Sequence, residues 1–142
     1  MISVEEAKNK IKADMPLMPP EQVSLSEALG RVLAKDVAAR RTQPPHAVSA
    51  MDGYAVQAED VENLPASLNV VGHVPAGQAY DGSVAKGQAV RIFTGAAVPA
   101  GADTIVIQEN TERDGKLVKV IDGKAPPGRF IRPAGLDFCE GD

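Results

Sequence analysis

The nonpolar positions near the N-terminus follow a helical period. They recur every three or four residues, as expected for one face of a helix: Val4, Ala7, Ile11 and Met15. Ser3 and Glu6 have the spacing of a capping box, and Pro16 cannot continue a helix. The pattern predicts a helix that begins after Ser3 and ends before Pro16. Its nonpolar stripe is narrow, which suits docking on another surface better than forming a core of its own.

The pattern is weaker between Pro16 and Ala38. Residues 22–25 are predicted to form a short strand. Residues 26–29 are predicted to form one helical turn, capped by Ser26 and terminated at Gly30. Residues 31–38 are then predicted as a strand, although residues 27–35 also fit one longer helix.

The rest of the chain alternates β-branched runs with turn residues. The runs predict strands in residues 54–56, 68–74, 89–93, 103–108, 116–121 and 129–132, with a helical turn near residues 58–62. Asp114-Gly115 is a favoured pair for the two-residue loop of a hairpin. The sequence therefore predicts an α+β fold that is mainly β.

A break in composition at Pro44-Pro45 suggests a domain boundary. We expect residues 42–127 to form an inserted β-rich lobe. Residues 1–41 together with 128–142 are expected to form the N-terminal helix and an elongated lobe built from both chain ends.

Composition narrows the function classes. The formal net charge of −4 argues against nucleic-acid binding, which needs a positive surface. A single cysteine excludes an internal disulfide and favours a reducing compartment. No run is long and nonpolar enough to cross a bilayer, and a signal-peptide core is lacking, so a cytoplasmic, membrane-free location is expected.

The stretch Ser49–Val56 contains the leading candidate for chemistry. Asp52-Gly53 turns easily, and the nonpolar residues 54–56 follow as a strand, so a carboxylate is expected at the mouth of that strand. Such a group can bind Mg²⁺ or orient water. The alternative is a turn aspartate that bonds only its own backbone.

Other polar residues suggest anion binding. Thr94 follows a predicted strand and precedes Gly95, so it can cap a helical turn with or without a bound anion. Ser49 is a weaker candidate of the same type. Arg132 can clamp an oxyanion, and Asp137 can add a second carboxylate or pair with an arginine.

Several other residues give no pattern typical of a catalytic or metal site. His46 and His73 are far apart and lack partners typical of zinc. Cys139 has no C-x-x-C partner, and no Ser-His-Asp arrangement can be argued.

Three blocks together resemble the N-terminal part of the molybdopterin molybdotransferase (molybdenum insertase) family, which includes the C-terminal domain of gephyrin. The blocks are residues 49–55 (SAMDGYA), residues 91–96 (RIFTGA) followed by Pro99 and residues 101–103 (GAD), and residues 132–137 (RPAGLD). The resemblance covers nearly the whole chain. One departure is His46-Ala47-Val48, where many members have Phe-Asp-Asn, so any polar role of those positions is in doubt.

The resemblance implies an activity and a site. Members insert molybdate into adenylylated molybdopterin, which gives molybdenum cofactor and AMP with the help of Mg²⁺. It implies catalytic and metal-binding roles for Asp52, a catalytic role for Thr94, a metal-binding role for Asp137, and substrate or anion binding by Ser49, Gly53, Gly95 and Arg132.

The resemblance also implies partners and a missing part. Members form elongated homodimers, and a molybdopterin adenylyltransferase is a further expected partner. The chain stops at Asp142, where the family continues into a molybdopterin-binding α/β domain, so we expect a fragment that is inactive alone. The alternative is a non-catalytic β-rich module for protein interaction or anion binding.

Overall fold

The computed structural model describes residues 2–142, which divide into two compact units. The first unit ends at Val37 and contains one α-helix, α1 (Val4–Ala13). The predicted capping box is confirmed, because Ser3 Oγ accepts the Glu6 N–H while Glu6 Oε2 accepts the Ser3 N–H, both at 3.1 Å. The helix ends before Pro16, as predicted.

The prediction for the rest of the first unit is wrong in most details. Residues 14–37 contain one 3₁₀ turn (Leu25–Glu27) and no strand, so the strands predicted at 22–25 and 31–38 are absent, as is the longer helix. The N-cap of the turn is Ser24 and not Ser26. The physical reason is that no residue from 2 to 37 is buried, so a strand there has neither a partner strand nor a covering surface.

The second unit, Ala38–Asp142, is built on β-strands. Within residues 2–142 there are eight: β1 (Val48–Ser49), β2 (Gly53–Val56), β3 (Ala66–Val74), β4 (Gln88–Ile92), β5 (Thr104–Ile107), β6 (Thr111–Asp114), β7 (Leu117–Val120) and β8 (Ile131–Arg132). Six form one sheet in the order β5-β2-β4-β3-β7-β6, and β1 pairs with β8. Only β3 and β4 are parallel. The predicted α+β, mainly β fold is confirmed.

Both faces of the sheet are covered by nonpolar side chains. Adjacent residues Tyr54 and Ala55 belong to two different buried clusters, as expected when successive side chains point to opposite faces. The first cluster includes Val56, Leu68, Val106, Val118 and Val120. The second includes Val74, Val90, Ile92 and Ile105. This double burial explains why β2 and β5 are almost continuously nonpolar.

The predicted hairpin is present between β6 and β7, with its turn displaced by one residue. Asp114 pairs with Leu117, so the two loop residues are Gly115 and Lys116. Gly115 has φ of 56°, which suits the first central position of a type II′ turn. The glycine therefore occupies the first loop position and not the second.

The end of the chain returns to the start of the second unit. The Ala39 N–H donates to Asp142 O at 2.8 Å, and the Gln43 N–H donates to Phe138 O at 2.9 Å. Residues 128–142 thus lie in the same compact unit as the sheet. The division into an inserted lobe (42–127) and a lobe from both chain ends stays a prediction. Among the described residues, no helix has the length and nonpolar character needed to cross a membrane.

Candidate functional site

Asp52 and Thr94 meet where strands of the six-stranded sheet end, at the edge formed by the start of β2 and the end of β4. Asp52 immediately precedes β2, and Thr94 lies two residues beyond β4. These strands are antiparallel neighbours, with Gly53 opposite Ile92, so the two side chains are brought together. Asp52 Oδ1 accepts hydrogen bonds from the Thr94 N–H and the Thr94 hydroxyl, both at 2.8 Å.

The segment around Thr94 is a β-turn and not the predicted helical turn. The Ala96 N–H donates to Phe93 O at 2.9 Å, and Gly95 has φ of 81°. This combination is that of a type II turn, whose third residue needs a positive φ. The helical prediction is wrong because Gly95 reverses the chain. Both Thr94 donors point to Asp52, and the Gly95 N–H donates to Ser49 O at 2.8 Å.

Ser49 supports the loop that carries Asp52. Its side chain is buried, and its hydroxyl donates to Met51 O at 2.6 Å. The Met51 N–H returns a bond to the same hydroxyl at 3.3 Å. Such local bonds between a side chain and the backbone are typical of turns, and here they fix the turn that follows β1. Anion binding by Ser49 and by Gly95 stays a prediction.

Gly53 allows β2 and β5 to approach closely. A Cβ at this position would lie 2.0 Å from Val106 O and 2.9 Å from Val106 C. These are backbone atoms of the neighbouring strand and cannot move aside as a flexible side chain can. The glycine after Asp52 is therefore required by the packing of the sheet itself.

Arg91 is a site residue that the sequence analysis missed. Its Nη1 donates to Gly53 O at 2.8 Å, and its guanidinium carbon lies 5.3 Å from the ring centre of Tyr54 and 4.4 Å from that of Phe93. Its Nη2 donates to Gln108 Oε1. The available signal was one charged residue inside the otherwise nonpolar run 89–93.

The surroundings of Asp52 favour its ionised form. The Thr94 backbone hydrogen bond lowers the pKa of the carboxyl group most, followed by the Thr94 hydroxyl. Partial desolvation opposes these two effects, and the charge of Arg91 adds the weakest lowering effect. Of the two carboxylate oxygens of Asp52, only Oδ1 accepts hydrogen bonds from residues 2–142. Oδ2 is thus an anionic oxygen that a cation or a water molecule can bind.

Arg132 and Asp137 form a separate ion pair. Arg132 Nη2 lies 2.7 Å from Asp137 Oδ1, and both side chains are a little under half exposed. Arg132 lies on β8, opposite Val48 of β1. Within residues 2–142 no group of three or more His, Cys, Asp or Glu residues is arranged to hold a metal ion. The metal-binding roles of Asp52 and Asp137 stay predictions.

Comparison with known proteins gives consistent matches. Residues 2–142 match the family model described as MoeA N-terminal region (domain I and II). The chain is 41% identical to the molybdopterin molybdenumtransferase of Nostoc sp., over 93% of this chain and 32% of that protein. It is also 41% identical to molybdopterin molybdenumtransferase 2 of Mycobacterium tuberculosis, over 99% of this chain and 36% of that protein.

A solved structure has the same fold. It is the crystal structure of the molybdopterin biosynthesis moeA protein from Pyrococcus horikoshii OT3, with a TM-score of 0.79 and 37% identity over 86% of this chain and 33% of that one. The fold, with Asp52 and Thr94 at the start of β2 and the end of β4, is thus of the β-rich class found in molybdopterin biosynthesis proteins. The chain belongs to the MoeA N-terminal region family, which confirms the resemblance. It spans about a third of the length of these curated relatives.

Replacing Thr94 with valine is expected to raise the pKa of Asp52. Valine removes the hydroxyl donor and keeps the backbone N–H, so one of the groups that lower this pKa is lost. A carboxyl group whose pKa is lowered by folding stabilises the folded state at pH values above its unfolded-state pKa. This stabilisation is lost as the pH falls through the folded-state pKa. The stability deficit of the variant should therefore be largest near neutral pH and shrink in acid.

Carboxyl NMR titration and chemical unfolding at neutral and acidic pH measure both effects. Thr104→Val is the matched control, because the Thr104 hydroxyl donates to a backbone carbonyl, Pro126 O, at 2.9 Å, and Thr104 pairs with Val56 at the other end of β2. It should leave the pKa of Asp52 unchanged. An unchanged pKa in Thr94→Val would mean that the hydroxyl does not bond to the carboxylate in solution.

Proposed function

We propose that this chain is the N-terminal region of a molybdopterin molybdotransferase. The whole protein would insert molybdate into adenylylated molybdopterin, which yields molybdenum cofactor and AMP. The names of the relatives, molybdopterin molybdenumtransferases, support this activity. The observation that carries it is the Asp52 carboxylate, which Thr94 holds through one oxygen while the other has no protein donor among residues 2–142.

The residues at this edge suit Mg²⁺. Mg²⁺ is usually held by one or two carboxylates together with substrate phosphates and water. The protein therefore needs to supply only one free carboxylate oxygen as a ligand. Asp52 would supply that oxygen, and Asp137 would supply another if its bond to Arg132 were exchanged. The bound ion would neutralise charge on the phosphates of the adenylylated substrate.

The other site residues would bind substrate or keep Asp52 in place. Thr94 holds the catalytic carboxylate by two bonds, and Ser49 fixes the loop before it. Gly53 lets β2 and β5 approach closely, and Gly95 supplies the positive φ of the turn after β4; an oxyanion such as molybdate would bind at this edge. Arg132 would clamp an oxyanion through its planar guanidinium.

We further propose a homodimer in the cytoplasm, with a molybdopterin adenylyltransferase as the source of the adenylylated substrate. The first unit supports a protein interface, because its large nonpolar side chains are exposed: Ile2, Val4, Ile11, Met15, Leu17, Met18, Val23, Leu25, Leu29, Val32, Leu33 and Val37. The single cysteine supports a reducing location, and the net charge of −4 disfavours nucleic acid as a partner.

An assay with adenylylated molybdopterin, molybdate and Mg²⁺ tests the proposal. The full-length protein is expected to release AMP and form molybdenum cofactor, whereas the 142-residue chain alone is expected to form none. The reason is that the chain corresponds to only a third of its relatives, so most substrate contacts would be missing. Cofactor formation by this chain alone, or none by the full-length protein, would contradict the proposal.

A further inference from the structure

Arg91 is held in one orientation by contacts from two strands. Its Nη1 donates to Gly53 O on β2 at 2.8 Å and to Ile92 O on β4 at 3.3 Å. The rings of Tyr54 and Phe93 lie within cation–π distance of its guanidinium group. No carboxylate of residues 2–142 forms an ion pair with it. Arg91 is therefore held by hydrogen bonds and ring contacts and not by an ion pair.

Gln108 connects Arg91 to the backbone of Asp52. The side-chain oxygen of Gln108 accepts a hydrogen bond from Arg91 Nη2, and the main-chain N–H of Gln108 donates to Asp52 O at 3.1 Å. Asp52 is thus held at two points, with its carbonyl bonded to Gln108 and its carboxylate bonded to Thr94. These bonds join β2, β4 and the residue that follows β5.

We propose that Arg91 and Gln108 act together as positioning residues, which fix the main chain of Asp52 and so keep its carboxylate in one orientation. Neither residue needs to touch the substrate. The kinetic consequence rests on the function proposed above, whereas the consequence for the Thr94–Asp52 bonds does not. Lysine cannot replace Arg91 in this role, because it keeps the charge but lacks the planar group that reaches two acceptors.

The test compares Arg91→Lys, Gln108→Ala and the double variant in the full-length protein. Each single change is expected to lower kcat for molybdenum insertion about tenfold, because small misplacements of a reacting group are costly. KM should stay within about twofold, since binding contacts are unchanged. The double variant should be no slower than the slower single variant, because the two residues form one link.

Amide hydrogen exchange of Thr94 provides a readout independent of activity. Its N–H donates to Asp52, so exchange should accelerate about tenfold in the variants, while the amide of Ile105 in the sheet core exchanges as before. Arg113→Lys is the matched control, because Arg113 Nε also donates to a backbone carbonyl, Gly115 O, at 3.1 Å. It should change neither kcat nor Thr94 exchange.

Three results would overturn the positioning role: unchanged Thr94 exchange, equal acceleration at Ile105 with a lower melting temperature, or additive losses in the double variant. The first would show that Asp52 is held without this pair, and the second would show a general structural role. If the unmodified full-length protein forms no cofactor, the proposed function fails. The Thr94 exchange rates then still decide whether Arg91 and Gln108 position Asp52.

Discussion

Replacing Asp52 with asparagine in the full-length protein is expected to lower molybdenum insertion by about 100-fold or more. This is the usual scale for loss of one group that stabilises charge in a transition state. Asparagine keeps an oxygen that accepts both Thr94 bonds, but it cannot offer an anionic second oxygen to Mg²⁺. The melting temperature should therefore stay near that of the unmodified protein. Turnover and thermal melting, measured on the same preparation, separate the two effects.

Asp60→Asn is the matched control for this prediction. Asp60 Oδ2 also accepts a backbone N–H, from Gly87 at 2.7 Å, and no hydrogen bond of Asp60 within residues 2–142 involves a residue of the site. Its replacement should leave turnover unchanged. Near-normal turnover in Asp52→Asn would identify Asp52 as a turn residue only. A loss of turnover that follows a large fall in melting temperature would make the defect structural.

Gly53→Ala is expected to destabilise the second unit by about 3 kcal/mol, at the upper end of the usual cost of overpacking. The new methyl group would meet Val106 O at 2.0 Å, so β2 and β5 must separate. The melting temperature should fall by about 10 °C. Thermal unfolding followed by circular dichroism measures the effect.

Gly77→Ala separates this steric effect from a general cost of replacing glycine. Gly77 has φ of 75°, and a Cβ added there would meet no atom within 4 Å, so its replacement costs only backbone strain, roughly 1 kcal/mol. The loss in Gly53→Ala should be clearly larger. Equal losses at the two positions would show that β2 can move away from β5 at little cost.

The sequence predicts those elements whose signals are local. The capping box of Ser3 and Glu6 depends on residues only three positions apart, and the β-branched run 104–107 favours a strand in any buried setting. The segment 31–38 has a similar share of nonpolar residues but forms no strand. A strand needs a partner, and the sequence of a segment does not say whether one is present.

The site was predicted in parts and not as an assembly. Asp52 and Thr94 were both predicted as site residues, although the helical turn predicted at Thr94 was wrong. The bond between them depends on the register of β2 against β4 across 42 positions. Arg91 and Gln108 are likewise joined across 17 positions. Such long-range pairs are set by sheet topology, which local patterns do not determine.

The return of Asp142 to Ala39 bears on how proteins of this kind can change during evolution. The 2.8 Å bond between the Ala39 N–H and Asp142 O holds these two positions side by side. Positions held side by side at the boundary of a domain are where insertion and circular permutation are usually tolerated. Sequence added before residue 38 is therefore expected to leave unchanged the sheet register that sets Asp52 beside Thr94.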